Sequence, residues 1–98
     1  MAEITLNITA FEEKISLHSY LKEQLGFPFY YGANLDALYD ELASIAKPVQ
    51  ITLVYTDRPI AGHENYIPRM VEVFRAAAQD NYHIKLTIQE EKQGGHTA

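Results

Sequence analysis

Asp36 and Asp40 stand four residues apart, Glu41 follows the second, and Tyr30, Tyr31 and Tyr39 flank them. Residues four apart on a helix share a face, so the two carboxylates project together, with Ala43 continuing their row. Such a pair can serve as general acid and base. It can also meet the Arg, Lys or His side chains of a partner through charge-assisted hydrogen bonds, which are strong, above all to a forked guanidinium. The neighbours suit the second chemistry. Tyrosines beside acids add flat contact area with hydroxyl handles, and Gly32 lets a loop backbone come close to another surface.

The pattern is not one that helix stability alone favours. Carboxylates at i and i+4 repel by a few tenths of a kcal/mol, and no Lys or Arg lies between Asn34 and Lys47 to offset them. Asp36 falls in the first turn, near the positive end of the helix dipole, but Asp40 and Glu41 gain less from it. The same residues also fit a solvated acidic helix over core tyrosines, and spacing alone names no partner.

The elements that must position these groups follow from periodicity. Ile4, Leu6 and Ile8 alternate with polar residues and predict a strand. Ser16 is placed to cap a helix reaching Leu25, with Leu17, Leu21 and Leu25 along one stripe and Gly26 to end it. Asn34 is a good N-cap for a second helix running to about Ile45, whose stripe is Leu35, Leu38, Leu42 and Ile45. Val49 to Tyr55 is nearly continuously apolar, as expected of a strand covered on more than one side. Residues 56–65 read as a loop with room for a short helical turn. Ile67, Val71, Phe74 and Ala78 recur at helical spacing, with Pro68 in the first turn. Ile84, Leu86 and Ile88 alternate again.

The order strand, helix, helix, strand, helix, strand predicts one small α/β domain: a three-stranded parallel sheet packed against helices. The domain is expected over residues 1–89, and the polar stretch 90–98 is expected to fray. Ninety-eight residues suit one domain and are too few for two. With no cysteine, disulfides, thiolate zinc sites and a Cys nucleophile are excluded. The net charge of −5 argues against a nucleic-acid partner and leans towards a basic protein. No stretch reads as a membrane span or a signal peptide, so a cytoplasmic location is expected.

The run Tyr30-Tyr31-Gly32-Ala33-Asn34-Leu35-Asp36-Ala37-Leu38-Tyr39-Asp40 resembles the signature of the barstar family, intracellular inhibitors of barnase-type ribonucleases. Leu17-His18 and Val73-Phe74-Arg75 agree more loosely, and the element order fits over essentially residues 1–89. The resemblance implies a barstar-like fold and a loop and second helix that plug a nuclease active site. It assigns Asp40 to the place of a substrate phosphate, Asp36 to a second acid meeting enzyme cations, and Tyr30 to an aromatic packed on a catalytic His. Gly32, Asn34 and Leu35 match loop and helix-start contacts, and Tyr39 stands where the family often has Trp. The chain departs from the family at Ala76, where a further interface acid is usual, and at Ile45, where an interface Trp is usual.

The expected partner is a basic ribonuclease, bound by an inhibitor that is monomeric when free, with no cofactor, metal or membrane involved. Rival readings are an enzyme, a barstar-like module for a DNase, another toxin or a non-nuclease, and self-association through the tyrosines. The enzyme reading is weak. His18, His63, His83 and His96 fall in different elements, none at metal-ligand spacing, and no nucleophile or phosphate-binding motif is present. His18 is expected at the surface or partly buried.

Overall fold

A computed structural model of the chain describes residues 1–91. Three strands, β1 (Ala2–Ile8), β2 (Val49–Tyr55) and β3 (Ile84–Glu90), alternate with α1 (Lys14–Leu25), α2 (Leu35–Ala43) and α3 (Tyr66–Asp80). The sheet is parallel throughout, in the order β1-β2-β3. Two right-handed crossovers that step the same way across a sheet lie on the same face, so the helices form a single layer.

The register makes the consequence visible. Ile4, Ile51 and Leu86 form one cross-strand row, and Leu6, Leu53 and Ile88 the next. These rows face the helices, and Leu6, Ile51 and Leu53 are fully buried. The alternate rows, Glu3-Gln50-Lys85 and Thr5-Thr52-Thr87, carry polar side chains, and Gln50 Nε2 donates to Thr87 Oγ1 at 3.2 Å. The expectation that β2 is covered on more than one side is therefore corrected. The apolar look of Val49 to Tyr55 comes from Val54, which is buried although it lies on the polar row with Asn7 and Gln89.

The helix layer closes the core with Leu17 and Leu21 of α1, Leu38 and Leu42 of α2, and Ile67, Met70, Phe74 and Ala77 of α3. Several local features differ from those expected. First, α1 begins two residues before Ser16: Glu13 is its N-cap, without a side-chain cap bond, and the Leu17 amide reaches Glu13 O at 3.2 Å. The extra turn carries Lys14 over the ring of Tyr66, 5.7 Å from its centroid. Gly26 ends the helix at φ 70°, in the left-handed region that glycine adopts without a Cβ penalty.

Second, α2 stops at Ala43 because its last carbonyls find other donors. Ser44 Oγ donates to Asp40 O at 2.8 Å, and the buried Asn81 amide donates to Leu42 O and Ile45 O, both at 3.0 Å. Third, the loop after β2 holds a β-turn at Ile60–His63, with Gly62 at φ 75° and His63 N donating to Ile60 O at 2.8 Å. Arg58 fastens that loop to the β1–α1 connection through Thr9 O and Glu12. In α3, Pro68 sits in the first turn, where its missing N–H has no helical partner to lose.

Strand β3 includes Glu90, which the sequence assigned to the tail, and the Glu91 amide donates to Tyr55 O at 2.8 Å. Residues 92–98 lie outside the described part, and so does the fraying expected of them. Among the described residues no helix is long and apolar enough to cross a membrane.

Candidate partner-binding surface

Helix α2 is oriented by its buried side. Leu38 and Leu42 are fully buried in the core, which turns Asp36, Asp40 and Ala43 outward, and all three are exposed. Leu35 and Tyr39, between the two sides, are half-buried. The start of the helix is fixed by Asn34, whose Oδ1 accepts from Ala37 N at 2.7 Å and whose Nδ2 donates to Gly32 O at 3.3 Å. A Cβ at Gly32 would meet Ala37 Cβ at 3.3 Å, so the bare glycine makes room for α2's own first turn. The left-handed residue of this loop is Ala33, at φ 55°. A non-glycine residue there is strained, and such strain persists only where neighbouring contacts hold it.

The aromatic loop before α2 divides its side chains in two directions. Phe29 and Tyr30 point out, 86% and 72% exposed, with their rings edge to face. Tyr31 points in. Its ring packs on Phe27, 4.8 Å between centroids, and its hydroxyl lies 2.7 Å from His18 Nδ1. Tyr30 is therefore open to solvent on the loop that precedes α2, and Tyr31 is tied to the interior.

His18 corrects the expectation of a surface position. It is fully buried, and its other nitrogen, Nε2, lies 2.6 Å from the hydroxyl of Tyr66. Burial disfavours its charged form, and Lys14 adds to the effect, so the imidazole is pushed down to about 4. Burial likewise raises the phenol of Tyr31 above its ordinary range, with Tyr66 and Glu41 acting in the same direction.

Among the described residues Asp36 and Asp40 form no ion pair. Among the described residues the ion pairs are Arg58–Glu12 and Arg75–Glu72, neither on α2. Asp36 does share a cleft of about 240 Å³ with His63 and with the cations Lys14 and Arg69, groups from neighbouring elements that the linear pattern did not bring near it. On the other flank Tyr39 donates its hydroxyl to Asp80, near the end of α3. That bond raises the Tyr39 phenol, and desolvation and the charges of Asp80 and Asp40 contribute further. Among the described residues no group of three or more His, Asp or Glu could hold a metal ion.

Asp36, Asp40 and Ala43 thus share the outward face of α2, with Leu35 and Tyr39 at its edge and Gly32 and Asn34 shaping its start, and Tyr30 is exposed on the preceding loop. The family model for Barstar (barnase inhibitor) matches residues 1–91. The chain is a member of the barstar family. It is also 33% identical over 81 residues to the Bacillus subtilis (strain 168) protein named "Putative ribonuclease inhibitor YrdF", which covers 82% of this chain and 89% of that relative. The barstar signature and the outward surface coincide, since the run from Tyr30 to Asp40 supplies both.

Four residues that shape this surface escaped the linear reading: His18, Tyr66, Asp80 and Asn81. His18 left a trace, for it lies on the same helical face as Leu21 and Leu25. Tyr66 left one too, four residues before Met70 on the stripe of α3. Asp80 and Asn81 act across about forty residues of sequence, on Tyr39 and on the end of α2, and no local period reports that.

Proposed function

We propose that this chain inhibits a basic, barnase-type ribonuclease by inserting the surface from Tyr30 to Asp40 into its active-site cleft. The observation that carries the reading is the state of Asp36 and Asp40: both exposed on one face of α2, neither ion-paired within the described residues. Membership of the barstar family and the name of the Bacillus relative support it.

Turnover is not needed for this action. Asp40 takes the place of a substrate phosphate and accepts hydrogen bonds from the enzyme's Arg, Lys or His groups. Asp36 meets a second cation. The like-charge repulsion along α2 then becomes attraction on both acids. Tyr30 supplies a ring to stack on an active-site side chain, Tyr39 and Leu35 border the contact, and Ala43 keeps the end of the acid row low. Gly32 and Asn34 hold the loop in the shape that presents them. The protein acts in the cytoplasm, as a monomer when free.

A second reading has one observation in its favour. Ala76 is exposed on α3 where the family resemblance calls for an acid, which suits a different toxin with a basic site. Incubating the purified protein with a panel of small basic ribonucleases separates the two. Stoichiometric inhibition of at least one supports the proposal. No inhibition across the panel, with tight binding to a basic DNase or another toxin, overturns it in favour of the second reading.

A further inference from the structure

We propose that His18 is a positioning residue for the binding surface: its imidazole, held between the hydroxyls of Tyr31 and Tyr66, clamps the aromatic loop onto α1 and α3 so that Tyr30 stands outward. The role in binding rests on the function proposed above; the clamp itself does not.

The geometry is specific. His18 is fully buried, and both of its nitrogens have a hydroxyl within hydrogen-bonding distance, at 2.7 Å from the loop and 2.6 Å from α3. A neutral imidazole has one N–H and one lone pair. One tyrosine therefore donates to the ring and the other accepts from it, so three elements are joined by a directional chain. Burial keeps the ring neutral at ordinary pH. The charged or titratable groups around the chain are Lys14 of α1, Glu41 of α2, Arg69 of α3 and His63 of the preceding loop.

The loop needs such an anchor. Between Phe27 and Asn34, the Tyr31 amide bonds within the loop to Pro28 O, and Lys22 reaches Phe29 O only at 3.5 Å. Phe29 and Tyr30 are largely exposed and touch chiefly each other. Their direction follows from that of Tyr31, their neighbour in sequence, whose hydroxyl is tied to the interior through His18. Ala33, strained at φ 55°, lies two residues further on and is held between that anchor and the Asn34 cap.

Two substitutions split the clamp. The amide of His18→Asn falls near the place of Nδ1 and can keep the bond to Tyr31. The amide of His18→Gln falls near Nε2 and can keep only the bond to Tyr66. Amide hydrogen exchange over residues 29–33 in the free protein reads the loop, and affinity for a ribonuclease inhibited by the wild type reads the surface. Loss of one hydrogen bond predicts exchange about tenfold faster and affinity about tenfold weaker in His18→Gln, with His18→Asn restoring most of both. Tyr31→Phe, which removes only a hydroxyl, should match His18→Gln and decides the matter if either His18 variant fails to fold. Equal exchange in His18→Gln, Tyr31→Phe and the wild type overturns the clamp. A wild type that binds no ribonuclease overturns the function proposed above instead, and the exchange data still decide the clamp.

Discussion

The hydroxyl of Tyr39 donates to the carboxylate of Asp80, joining the outer side of α2 to the last turn of α3. An acid at the end of a helix faces the negative end of the dipole, and the phenol offsets that penalty. The bond also gives the acidic surface a second helix: Asp80 stands one turn beyond Ala76, where the family resemblance calls for an acid. With Asp80 as the first cause of the raised Tyr39 phenol, Asp80→Asn should bring its ionisation back towards the ordinary value. Absorbance titration of the phenolate, with Tyr39→Phe to identify the signal, reads this directly. An unchanged titration contradicts the bond.

His18 makes stability depend on pH in a defined direction. Its pKa is 6.5 when unfolded and about 4 in the fold. Between those values the unfolded chain binds more protons, so stability is fully present above pH 6.5 and is lost as pH falls to 4. The loss is at most about 3 kcal/mol. Urea unfolding at pH 7, 5.5 and 4 should show it, and His18→Asn should flatten that slope. The same slope in both proteins would assign the effect to other groups.

Asn81 supports α2 from the far side of the fold. Its buried amide caps two carbonyls, Leu42 O and Ile45 O. Asn81→Ala removes the side-chain donor from Ile45 O and leaves Leu42 O with backbone donors alone, among them the Ile45 amide at 3.2 Å, and should cost about 2 kcal/mol. Chemical denaturation at neutral pH checks the figure; a change under about 0.5 kcal/mol means water replaces the amide without penalty.

What the sequence made legible follows the range of each interaction. The strands, the α2 cap at Asn34 and the buried row Leu38-Leu42 are local or periodic, and each was readable from spacing. Asp36, Asp40 and Ala43 were readable as one row on α2 for the same reason. The inward turn of Tyr31 was not, because it depends on His18, thirteen residues earlier, and on Tyr66, in another helix. The open face of the sheet was hidden by Val54, since a single apolar residue on the polar row makes a one-sided strand look two-sided. Lys14 and Arg69 near Asp36 were invisible because the linear reading compared charges only within α2.

Association with the target should slow as salt is added. Exposed carboxylates and a cationic cleft attract over a Debye length of about 8 Å at physiological ionic strength, and salt shortens that range. Stopped-flow association rates at rising ionic strength test the expectation. Rates that do not change with salt would remove electrostatic attraction from the account.

The central claim is that Asp40 stands in for a phosphate, and calorimetric titration of the inhibited ribonuclease with wild type and Asp40→Ala tests it most directly. Breaking a desolvated charge pair costs about 3–5 kcal/mol, so the variant should bind on the order of a hundredfold or more weakly. The surface acid Glu23 of α1, changed to Ala, should bind as the wild type does. Asp40→Ala binding as tightly as Glu23→Ala would contradict the account.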